Sequence, residues 1–171
     1  MKEQGFKNYF VGFFSVVLLM YGGSAFSQNW RNGITNDKSA TYVATVNESS
    51  TILGKYCYFD SNTCMWILMN KVSCKEKDSY PALASVDKQA LSIELVCLGN
   101  IGDGLYRYGI RPYEGIDTAI TQSKTIGIVS PLADGNFRVN RFELSGMTEM
   151  HNSMIEFFSK RGAKRPADQT L

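Results

Sequence analysis

Most of the chain is built from short stretches in which apolar and polar residues alternate, separated by turn-forming residues, and this rhythm predicts strands. Residues Ala40 to Val46 (ATYVATV) alternate well and stop at NESS. TILGKYCYF (51–59) follows, and then the unbroken apolar run CMWILM (64–69), which reads as a strand buried on both faces. ALASV (82–86) and LSIELVCL (91–98) flank DKQA and predict a hairpin in which Cys97 lies level with Tyr80. In the second arm Leu91, Ile93, Leu95 and Cys97 share one face. LYRYGI, TIGIV and FRVNRFEL complete the set, the last opposing Phe137, Val139 and Arg141 to Arg138, Asn140 and Phe142.

Two segments carry a helical pattern instead. Tyr113 to Lys124 (YEGIDTAITQSK) is one, although its threonines and isoleucines would also suit a strand. The other is MTEMHNSMIEFFSKR (147–161). At 100° per residue Met147, Met150, Met154, Ile155, Phe157 and Phe158 fall on one arc, and Glu149, Asn152, Ser153, Glu156 and Lys160 on the other. Ser145 or Thr148 can cap its start and Gly162 stops it. A helix with one apolar stripe must bury it, and a mostly antiparallel sheet is the available partner. The expected fold is mainly β: an antiparallel sandwich or barrel-like domain with a C-terminal α-helix, stapled by disulfides.

The first residues follow a different pattern. Lys2 and Lys7 precede an almost continuous apolar run, Tyr9 to Tyr21, and GGSAFSQ then supplies small residues. This is the three-part plan of a secretory signal peptide, residues 1–27, with cleavage after Ser27 and a second choice after Ala25. The apolar run is shorter than the roughly 20 residues that cross a bilayer, so no membrane span is expected after cleavage. Residues 28–171 then form a single disulfide-containing β-rich domain, with about 163–171 a flexible tail. The expected location is periplasmic or secreted.

Charge adds little. The chain carries +2, and Lys2, Glu3 and Lys7 account for +1 of it, which gives no electrostatic case for nucleic acid. The basic stretch KRGAKR (160–165) reads as a solvated end.

Four cysteines, Cys57, Cys64, Cys74 and Cys97, change the picture more. An even count in an exported chain points to two disulfides. The gaps of six, nine and twenty-two residues give neither the tight pairs of a zinc site nor a redox C-x-x-C. Three pairings are possible, and hairpin geometry favours Cys57–Cys64 with Cys74–Cys97. A two-residue turn at Asp60-Ser61 would put Cys57 opposite Cys64. A turn at Ser61-Asn62 would leave them diagonal, unless a bulge with left-handed Asn62 closes the gap.

Catalytic motifs are absent from the sequence: there is no G-x-S-x-G, no phosphate-binding glycine loop and no EF-hand loop. His151 is the sole histidine, and its helical phase makes it a partly buried, hydrogen-bonded residue rather than a catalytic one. No cofactor and no metal are expected. Asp103 with Glu114 or Asp117 could form a carboxylate pair only if the fold brought them together. Tyr106, Arg107, Tyr108, Arg111 and Tyr113 interleave the residue types that dominate protein-binding hot spots, and form the candidate protein-binding face.

From TIGIVSPLADGNFRVNRFELSGMTEMHNSM onward the chain resembles the invasion-associated locus B family of exported bacterial proteins, in which a late strand leads through a glycine step into a short final helix. That resemblance covers the last third of the chain. It implies a β-sandwich-like envelope protein with a host-interaction role and no known chemistry. The expectation is therefore a non-enzymatic exported protein that binds another protein, in the envelope or at a host surface. An immunity or enzyme-inhibitor protein is the narrower alternative, and a carboxylate-based envelope hydrolase the second.

Overall fold

The computed structural model describes residues 30–87, 89–132 and 134–162. The expected leader (1–27) and the expected tail (163–171) lie outside the described residues. The elements are β1 (Arg31–Ile34), β2 (Ala40–Val46), β3 (Ile52–Tyr58), β4 (Thr63–Asn70), β5 (Ser79–Val86), β6 (Gln89–Asn100), β7 (Tyr106–Arg111), α1 (Tyr113–Gln122), β8 (Thr125–Pro131), β9 (Phe137–Glu143) and α2 (Met147–Gly162). All nine strands join one antiparallel sheet in the order β1-β2-β3-β4-β7-β6-β5-β8-β9.

The sheet wraps around a single core to which nearly every strand contributes, with Leu53, Trp66, Leu68, Ile126, Ile128 and Phe142 almost fully buried. Its two edges meet through side chains rather than through a ladder. Trp30 Nε1 donates to the Glu143 carbonyl (2.9 Å) and Asn47 Nδ2 to the Arg141 carbonyl (3.3 Å). The sheet is thus curled but not closed into a barrel. Helix α1 packs on β7, β4, β5 and β6, and α2 on β2 and β1. Ile116 and Ile120 of α1, and Met147 and Met154 of α2, enter the core.

Strand β4 is buried on both faces, as its composition predicts: Trp66, Ile67 and Leu68 are all inaccessible. Gly54 permits the tight approach of β2 to β3 on the outer side, where a Cβ would lie 2.7 Å from that of Ala44.

Both expected disulfides form, Cys57–Cys64 and Cys74–Cys97, and no described cysteine is free. The first follows from a register centred on Asp60-Ser61, with Cys57 opposite Cys64, while Asn62 also adopts a left-handed φ of 53°. The second hairpin is tighter than expected. Val86 pairs with Gln89, and Asp87 turns the chain at φ 39°. That shift of two residues sets Tyr80 against Leu95 and brings Cys97 to Asp78, whose carbonyl accepts its N–H at 2.9 Å.

One face that the pattern leaves open is settled, and another differs from expectation. On β9 the bulky apolar residues Phe137 and Val139 point outward, while Asn140 and Phe142 are buried. The polar Asn140 is held inside through its Oδ1, which accepts from Thr51 Oγ1 at 3.1 Å, while its buried Nδ2 has no hydrogen-bond partner among the described residues. On α2, Phe157 leaves the apolar arc for the surface, and Phe158 is only half-buried, stacked on Phe59 at 5.8 Å.

Candidate functional site

Strand alternation dismantles the candidate tyrosine–arginine face. Tyr108 points inward with Ile110 and is buried; its hydroxyl donates to the Val72 carbonyl at 2.8 Å and its ring meets Tyr80 edge-on. Burial pushes its phenol up to about 12. Tyr106 is half-buried against the same core. Arg107 is half-buried as well and donates to the Leu98 carbonyl at 3.3 Å. Arg111 is exposed and lies opposite Glu94, while Tyr113 opens α1 and is half-buried. The five residues do not share one surface, because odd and even positions of β7 point to opposite sides of the sheet.

A different surface is present on the outer side of β5, β8 and β9. Leu83 pairs with Val129, and Val129 with Val139, so the three side chains stand in one row across three strands. Beside this row Pro131 pairs with Phe137. Leu83, Val139 and Phe137 are 48%, 41% and 69% exposed. The next row has no bulk at its middle, since Gly127 lies between Ser85 and Arg141. The result is a contiguous apolar strip bordered on the same face by the exposed Arg141.

The second notable constellation is polar and lies inside. Lys55 points to the core side of β3, between Leu53 and Cys57 and directly across from Val43 and Trp66. It is 3% exposed. Its ammonium donates to Asp117 Oδ1 of α1 at 2.8 Å and to His151 Nε2 of α2 at 2.9 Å, and lies 5.3 Å from the centre of the Tyr113 ring. Trp66 Nε1 donates to the same Asp117 oxygen at 2.8 Å. A buried ammonium needs such partners, since an unpaired charge in an apolar core is strongly unfavourable. Lys55 thereby ties both helices to the sheet. With its ammonium engaged by a carboxylate, it is a donor hub rather than a nucleophile.

His151 is half-buried and hydrogen-bonded, in agreement with its helical phase. Burial, and then the Lys55 charge, hold its imidazole below the ordinary range, while Asp117 and Asn152 act in the opposite sense. Asp117 meets Lys55 and Trp66 here, and no group of three or more potential metal ligands occurs among the described residues.

No family model and no curated protein matches the sequence. A solved structure does match in shape. The fold is similar to the crystal structure of invasion associated protein b from Bartonella henselae, with a TM-score of 0.58 over 78% of this chain and 96% of that one. The two sequences are 13% identical, so the likeness is one of fold. The likeness of fold extends well beyond the last third of the chain, from which the resemblance is expected.

Proposed function

We propose that this chain is an exported protein that works by docking another protein against the outer face of β5, β8 and β9. The observation that carries this reading is the contiguous apolar strip of Leu83, Val129, Phe137 and Val139, three of whose members are largely exposed. Contiguous exposed apolar surface of this kind marks interaction sites, whereas scattered single residues do not. Docking through the face, rather than by strand addition, fits the edge beside it. Two carbonyls of β9 are already taken by Trp30 and Asn47, and Arg138, Arg141 and Glu143 charge the strand. Two disulfides and the leader pattern support a location outside the cytoplasm. The partner in this reading is a protein of the envelope or of a host surface, the latter in keeping with a structural neighbour that is an invasion associated protein.

The test is affinity capture from envelope extract and from host-cell surface extract, using the chain from Gln28 and a Phe137→Asp/Val139→Lys variant. Both substitutions replace exposed side chains, so each should alter stability by no more than about 0.5 kcal/mol. The variant is expected to lose the partner that the unmodified chain captures. Undiminished capture by the variant would place the docking surface elsewhere.

A further inference from the structure

We propose that the contact between Lys55 and His151 is an acid-sensitive latch that holds α2 on the sheet. The geometry requires a particular protonation state. Lys55 Nζ can only donate, so at 2.9 Å the His151 Nε2 must offer its lone pair and the ring proton must sit on Nδ1. A protonated imidazole has no acceptor, and the contact then becomes one between two cations. The Asp117 oxygen nearest Lys55 is already shared between that ammonium and the Trp66 indole.

The charged groups acting on the ring come from two elements: Lys55 from β3 and Asp117 from α1. Asn152 hydrogen-bonds to it from its own helix. β1 and β2, on which α2 packs, meet the helix with neutral groups. Asn32 donates to the Met150 carbonyl at 3.4 Å, and Thr41 lines a cleft with Ser153, Met154 and Phe157. Beyond the latch, the helix is held by Met147 and Met154 in the core and by Phe157 and Phe158 against Phe59. Losing the Lys55 contact removes the shorter of these two polar ties and so weakens the hold of the helix on the sheet, and release bares the undersides of both methionines.

The sign follows from burial and the Lys55 charge, which place the imidazole's folded-state titration below its ordinary position near 6.5. The opened helix then binds a proton more readily than the closed one. The latch is complete above about pH 6.5 and is lost as pH falls from there through the folded-state value, by up to about tenfold per pH unit for one proton.

The experiment follows α2 backbone amide protection, corrected for intrinsic exchange, from about pH 7.5 to 4.5, beside the nuclear magnetic resonance titration of His151. Protection of α2 is expected to fall relative to the β5–β6 hairpin, in step with the titration. His151→Gln can still accept from Lys55 through its amide oxygen and should give a flat profile. Constant α2 protection through the titration, or the same fall in His151→Gln, would overturn the latch. Should His151→Gln fail to fold, Lys55→Met serves instead. It should move the imidazole midpoint up and change the pH dependence of α2 protection accordingly, and an unmoved midpoint would overturn the proposal.

Discussion

One oxygen of Asp117 accepts from both the Lys55 ammonium and the Trp66 indole, and both donors stand on the core face of the sheet. Replacing Asp117 by alanine leaves an uncompensated buried charge and an unpaired N–H. The expected cost is about 3–5 kcal/mol, read from urea unfolding. The double variant Lys55→Met/Asp117→Leu removes the charge together with its partner and should recover most of that loss. Recovery would show that the pair positions the helices more than it adds net stability. A trace of this cluster is present in the sequence. Lys55 shares strand parity with Leu53 and Cys57, so the alternation places a lysine on an apolar face. Its partners are not legible, because Asp117 and His151 lie 62 and 96 residues further along and only the packed helices bring them together.

Helix α2 shows how far periodicity carries an element. The arc correctly selects Met147 and Met154, which are almost fully buried, but it also includes Phe157, which is 41% exposed. A helix pressed against the two strands at a sheet edge buries a narrower stripe than one covering a broad sheet. Met154→Ala should therefore cost about 2–5 kcal/mol through lost burial and a cavity. Phe158→Ala, at the rim over Phe59, should cost clearly less. Thermal and urea unfolding of the two variants checks this ordering. Strand β1 is not legible in the sequence for a related reason. RNGI holds a single large apolar residue, and it is a strand because the β2 edge pairs with it rather than by its own pattern. The outward turn of Phe137 and Val139 is equally illegible, since alternation separates two faces without saying which is buried.

At the scale of the whole molecule, the hardest step in the topology lies between β4 and β5. Those strands are consecutive in sequence, yet β7 and β6 stand between them in the sheet, so residues 71–78 must cross over two strands. The Cys74–Cys97 bridge pins this crossing to β6, and Tyr108 secures it again through the Val72 carbonyl. The Cys57–Cys64 bridge, by contrast, joins neighbouring strands of a hairpin that already pair along their length. Chain entropy makes the longer loop the more stabilising, about 3.5 against 2.5 kcal/mol. The pair Cys74→Ala/Cys97→Ala should thus lower stability more than Cys57→Ala/Cys64→Ala. With native-state strain and residual unfolded structure discounted, both bridges together contribute about 4–6 kcal/mol. At about 2–4 °C per kcal/mol for a domain of this size, full reduction should lower the melting temperature by about 10–20 °C. Calorimetry of the oxidised and reduced protein measures that drop, and the two double variants apportion it. If removing the hairpin bridge costs more than removing the crossover bridge, the crossing is held by its packing against Tyr108 and Tyr80 and not by the disulfide.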